Sequence, residues 1–187
     1  MPGADMKIFG IAGWSGSGKT TLLRALIPAL VGRGLSVSTM KHAHHGFDVD
    51  KPGKDSYEHR QAGATEVLIS SAKRWALMHE LREEPEPSSA ELARAMSPVD
   101  ILLIEGFKGE AHDKLEVHRP ALGKPPLYPE NPSIVAVASD EDLAGLALPR
   151  LELPRLELPL LDLNDAEAIA DFVIGHCGLA ERARQRA

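Results

Sequence analysis

The chain has 187 residues, 43% hydrophobic and 26% charged, with a formal net charge of −6, which suits a single α/β domain over residues 1–187. The acidic balance argues against a general nucleic-acid coat, and no apolar run approaches the ~20 residues needed to span a bilayer. Cys177 is the single cysteine, so no intrachain disulfide is possible, and without a charged-then-apolar leader the expected location is the cytoplasm.

In chain order, residues 6–12 are an apolar run that suits a buried parallel strand. From Thr20, Leu22, Leu23, Leu26 and Leu30 recur at helical spacing until Gly32 and Gly34, with Pro28 expected to kink the helix. A strand is predicted over 35–41, then a polar loop, a short helix over 56–62 and a strand over 65–70. Residues 74–81 alternate as another strand. Ser88 or Ser89 can cap a helix at 90–96. Residues 99–107 form the most apolar strand, 114–119 alternate again, 133–139 are a core strand and 159–163 a short one. Asn164 or Asp165 then caps the last helix. The ordered core is expected over about 6–177, with the basic run 181–187 a solvated, frayed helix end.

Strands alternating with helices predict a P-loop NTPase-type, doubly wound, mostly parallel sheet. The alternating segments 74–81 and 114–119 have no helix beside them and are expected as antiparallel edge strands, for which a second subunit is one cover. The repeated Leu-x-Leu-Pro unit within 146–161 reads as an extended surface connection, because each proline stops a helix and blocks a ladder bond.

Between the first strand and the first helix stands Gly13-Trp-Ser15-Gly16-Ser17-Gly18-Lys19-Thr20-Thr21. Its glycines permit backbone angles barred to other residues. Successive N–H groups can then face one concavity and bind anionic oxygens, aided by the helix dipole. Lys19 would supply a point charge to the β- and γ-phosphates, Thr20 a hydroxyl for Mg²⁺, and Thr21 a contact to the α-phosphate. Magnesium needs further oxygen ligands. Glu105, ending a strand, and Asp50, after the second strand, are the expected metal or water-positioning acids, with a solvated loop acid the alternative for each. Asp140, just past the strand 133–139, could accept two hydrogen bonds from guanine or cap a following helix.

The loop Lys41–Asp55 carries His42, His44, His45, Asp48, Lys51, Lys54 and Asp55. Three close histidines suggest a transition-metal site, although no cysteine pair is near. The same loop could instead face a phosphorylated ligand or be a solvated segment. Arg60 and Arg119 are further charge stabilisers that spacing alone does not select.

The runs GWSGSGKTTL, KHAHHGFDVDKPGKDSYEHRQAGA, LLIEGFK and LPLLDLNDAEAIADF, in that order, resemble the molybdopterin-guanine dinucleotide biosynthesis protein B family over roughly residues 6–177. The resemblance implies a GTP- and Mg²⁺-binding homodimer with weak GTPase activity. Such a protein would assist the guanylyltransferase that joins GMP to molybdopterin, and molybdopterin itself is a further candidate ligand. It places Gly16, Gly18, Lys19, Thr20 and Thr21 on the phosphates, Glu105 on the magnesium side, and the histidine loop at a ligand or switch region. Two readings compete with it. One is a GTP-dependent metallochaperone using His42, His44 and His45; the other is a small-molecule kinase, for which no lid is evident.

Overall fold

A computed structural model describes residues 6–43, 46–107, 109–141 and 158–186. In chain order the elements are β1 (Lys7–Ala12), α1 (Lys19–Gly32), β2 (Val37–Lys41), α2 (Asp55–Gln61), β3 (Glu66–Ser70), β4 (Trp75–His79) and α3 (Ser89–Ala95). They continue with β5 (Ile101–Glu105), β6 (Lys114–His118), β7 (Ile134–Ser139), β8 (Leu160–Asp162), α4 (Ala166–His176) and α5 (Ala180–Arg186). The chain divides into two compact units, residues 43–92 and the remainder.

The larger unit is a six-stranded sheet in the order β2-β5-β1-β6-β7-β8, with every neighbouring pair parallel. Phe9, Ile11, Ile101, Leu103, Leu115 and Val117 pack with Leu22, Leu26 and Leu30 of α1 and Ile169 and Val173 of α4. Burial of these two apolar helix stripes against the sheet is the main source of stability. Alpha-1 continues through Pro28 to Gly32. On a second side, Ala93, Leu102 and Ile104 are buried with Met6, Ile8, Met40, Met96 and Phe107 around them. Asp165 caps α4 by accepting from the Ala168 amide at 2.9 Å, removing one orphan donor of the first turn.

The strand at 114–118 corrects an expectation. It is not an antiparallel edge but an interior parallel strand between β1 and β7. Its alternating polar side chains are buried, and two of them, Lys114 and Glu116, are satisfied by loop backbone. The Lys114 ammonium donates to the carbonyls of Glu110 and His112. Glu116, fully buried, accepts from the amides of Leu127 and Tyr128 at 2.7 and 2.8 Å. Alternation therefore reports polarity here and not exposure, since a paired polar group can be buried.

The run 181–187, expected to fray, forms most of α5 up to Arg186. Arg182 and Arg186 reach Asp100 at 3.3 and 2.6 Å. Asp100 also accepts from the amide and hydroxyl of Ser36.

In the smaller unit, β3 and β4 pair antiparallel from Glu66↔His79 to Ser70↔Trp75. They form a separate two-stranded sheet and do not extend the six-stranded one. Ser88 and Glu91 close a capping box at the start of α3. Arg60 on α2 is the polar centre of this unit, contacting Asp48, Asp50 and Glu80 at 2.7–2.9 Å. The Leu-Pro stretch falls mostly in 142–157, outside the described residues. Among the described residues no helix is long and apolar enough to cross a membrane.

Candidate functional site

The apolar run of β1 ends at Ala12, and the chain turns through Gly13–Gly18 into α1. Gly13, Gly16 and Gly18 have φ of 145°, 81° and 99°. At Gly13 a Cβ would lie 2.6 Å from the Val117 carbonyl oxygen and 2.7 Å from the Ser17 hydroxyl, so no larger residue fits beneath the loop. Alpha-1 has no side-chain N-cap. Its first-turn amides have no intrahelical acceptors and carry the positive end of the helix dipole. Lys19 folds back over the loop, its ammonium 3.0 Å from the Gly13 carbonyl and 2.9 Å from that of Trp14. Ser15, Thr20 and Thr21 are exposed along the same turn.

Beta-5 lies between β1 and β2, and register places Glu105 opposite both Ile11 and Lys41. The Glu105 side chain therefore meets the start of α1. Its Oε1 accepts from the Thr20 hydroxyl at 3.2 Å and lies 3.8 Å from the Lys41 ammonium. The next two residues bend sharply. Gly106 has φ 99° and Phe107 φ 47°, a left-handed pair uncommon away from constrained sites. A Cβ on Gly106 would lie 2.9 Å from the His42 Cβ, and the Phe107 ring stacks obliquely on His42 with centroids 4.8 Å apart. The Glu-Gly-Phe run is thus the fitting that seats the end of β2 against the carboxylate.

A third strand end reaches the loop from the opposite side. Arg119, just past β6, donates from Nε to the Ser17 carbonyl at 3.0 Å and pairs through Nη1 with Asp140 at 3.1 Å. Trp14 donates its indole N–H to the Pro125 carbonyl at 2.8 Å, with the Lys124 ammonium 5.8 Å from the ring centroid. Sequence reasoning left Arg119 unselected and missed Trp14 and Glu116 altogether. The available signal was position: Arg119 immediately follows a buried strand that neighbours β1.

Asp48 and Asp50 belong to the smaller unit, where both Asp50 oxygens accept from Arg60. Those hydrogen bonds hold the Asp50 carboxyl below its ordinary range. Lys54 is the residue before α2, and Asp55 stands in its first turn. His44 and His45 fall outside the described residues. Among the described residues no group of three His, Cys, Asp or Glu side chains could hold a metal ion.

A parallel sheet with a glycine loop between its central strand and first helix, and an acid closing the adjacent strand, defines a P-loop NTPase-type α/β protein. The family model for molybdopterin guanine dinucleotide synthesis protein B matches residues 8–140. The chain belongs to that family. It is 45% identical over 171 residues to a molybdopterin-guanine dinucleotide biosynthesis adapter protein of Escherichia coli K12, covering 89% of this chain and 91% of that one. It is 41% identical over 173 residues to a protein of the same name from Haemophilus influenzae, covering 90% and 88%. A crystal structure of molybdopterin-guanine biosynthesis protein B superposes with a TM-score of 0.68 at 27% identity, covering 90% of this chain and 99% of that one.

Proposed function

We propose that this protein is a GTP-binding adapter for attachment of GMP to molybdopterin, working as a homodimer in the cytoplasm beside a molybdenum cofactor guanylyltransferase. The adapter role rests on the family and on the names of relatives that match nearly the whole chain. The nucleotide role rests on the convergence of Lys19, Thr20 and Glu105 at one loop.

The loop chemistry suits a triphosphate. The Lys19 ammonium sits on two carbonyls, from which anionic oxygens would draw it by stronger, charge-assisted bonds. The first-turn amides of α1 accept negative charge without rearrangement. Thr20 and Glu105 bring a hydroxyl and a carboxylate together, both hard oxygen donors of the kind magnesium takes. When bound there, Mg²⁺ would neutralise charge on the β- and γ-phosphates. Asp140, paired with Arg119 beside the loop, would be the acceptor for a guanine edge. Hydrolysis should be slow, because the Glu105 carboxylate is occupied by Thr20 and faces Lys41.

The test is a reconstituted reaction of guanylyltransferase, molybdenum-loaded molybdopterin, Mg²⁺ and limiting GTP, run with and without this protein. Faster dinucleotide formation with the native chain, lost in Lys19→Ala, is the expected result. Equal rates with and without the chain, while GTP still binds, would remove the adapter reading.

A further inference from the structure

Arg119 occupies a position that the phosphate site alone does not explain. Its guanidinium bridges two parts of the site that a nucleotide would touch at opposite ends. Nε is fixed on the Ser17 carbonyl, and Nη1 is on Asp140 Oδ2. The group lies flat against the start of α1: a Cβ on Gly18 would come within 3.4 Å of both Nε and Nη2. The second Asp140 oxygen, Oδ1, is buried and has no hydrogen-bond partner among the described residues. Arg119 is about one-third exposed, so its side chain has room to re-aim.

Guanine offers two adjacent donors on its Watson–Crick edge, N1–H and N2–H₂, and adenine does not. A carboxylate reads both donors only if both oxygens are available. In the pairing seen here Arg119 holds Oδ2 and Oδ1 is buried, so neither oxygen is open to a base. An anion bound at the Gly18 end of the loop gives the guanidinium a stronger partner. Moving toward it would free Oδ2 and let the Asp140 carboxylate turn Oδ1 outward, while leaving Arg119 beside the loop.

We propose that Arg119 is a positioning residue that exchanges between Asp140 and the bound phosphates, so that an occupied phosphate loop switches on guanine recognition at Asp140. The inference rests on the reading of this loop as a GTP site and extends it. Its consequence is coupling: preference for guanine over adenine should grow with the number of phosphates. By linkage, the base contact should strengthen triphosphate binding by the same factor.

The experiment measures dissociation constants for GTP, ATP, GMP and AMP by competition in the presence of Mg²⁺. In the native chain the ATP-to-GTP ratio should exceed the AMP-to-GMP ratio by about tenfold, within the usual range of site coupling. Arg119→Ala should make the two ratios equal. Arg119→Lys keeps the charge but lacks the fork, and should retain triphosphate affinity while losing the difference between ratios. Asp140→Asn should reduce guanine preference for both phosphate lengths. Equal ratios in the native chain, or an undiminished difference in Arg119→Ala and Arg119→Lys, would overturn the coupling while leaving the GTP site intact. Failure of the native chain to bind any purine nucleotide would instead overturn the site reading, and the coupling with it.

Discussion

Thr20 and Glu105 stand 85 residues apart in sequence, yet the threonine hydroxyl donates to the glutamate at 3.2 Å. The cause is strand order. Beta-5 is inserted between β1 and β2, so its carboxyl end falls beside the glycine loop, where an open α/β sheet gathers ligands. The same insertion places Lys41 opposite Glu105. The acid therefore sits between a hydroxyl and an ammonium, set by register and by the bend at Gly106.

Substitutions in this group should separate phosphate binding from magnesium dependence. Lys19→Ala should weaken GTP binding by roughly ten- to a hundredfold with or without Mg²⁺, as expected for loss of a charged hydrogen bond. Glu105→Gln preserves a hydrogen-bond acceptor for Thr20 but removes the charge. It should weaken binding by about tenfold in Mg²⁺ and hardly at all in chelator. Titration calorimetry in both conditions is the check; a Glu105→Gln effect that survives chelation would place Glu105 outside the metal's reach.

Arg60 governs the smaller unit. It is largely buried and contacts Asp48, Asp50 and Glu80, with its guanidinium 5.4 Å from the Tyr57 ring centroid. Arg60→Lys replaces a planar fork by a compact point charge that does not reproduce the two-nitrogen contact to Asp50. Amide exchange in β3 and β4 should accelerate in this variant. Asp50→Asn should loosen the same amides while leaving the magnesium dependence of GTP binding unchanged. A lost magnesium dependence would support Asp50 as a metal-side acid.

Much of this arrangement was legible because periodicity and loop chemistry act locally. The glycine loop, the helix that follows it, the strand ending at Glu105 and the Asp165 cap are each specified within a dozen residues. What was not legible depends on pairs distant in sequence. Residues 114–118 alternate like a half-exposed strand, and nothing local announces that Glu116 is satisfied by the backbone at 127–128. Asp50 looks like a free acid until Arg60 is placed beside it. The basic tail looks solvated until Asp100, 82 residues from Arg182 and 86 from Arg186, is seen beneath it.

That tail should be a stabilising element. Burial opposes charge on Asp100, but Ser36 through hydroxyl and amide, and then Arg186, more than offset it and hold the carboxyl below its ordinary range. Asp100→Ala leaves Ser36 and two arginines without their acceptor. It should cost roughly 2–3 kcal/mol in chemical denaturation, a value limited by the half-exposed Arg186. Removing residues 180–187 should cost a comparable amount. A truncated chain as stable as the full one would show that α5 contributes nothing.

Acid should act on this fold in two stages, and His112 sets the first. Burial, then the nearby Lys114 charge, depresses its pKa from 6.5 to about 4. Its Nε2 is buried without a partner among the described residues, and a Cβ on Gly10 would lie 2.8 Å from it. The unfolded chain takes up a proton near pH 6.5 that the folded chain refuses until about pH 4. Stability is therefore flat with respect to His112 above 6.5 and falls through that window, by roughly 2–4 kcal/mol in all. Asp100 follows at lower pH: its contribution is present above the unfolded carboxylate value and is lost as pH drops through the depressed folded one. Thermal melts of the native chain and His112→Gln between pH 7 and pH 4 distinguish the stages. The variant should lose the slope between 6.5 and 4 and retain the steeper loss below it; an unchanged upper slope would assign that proton uptake to another group.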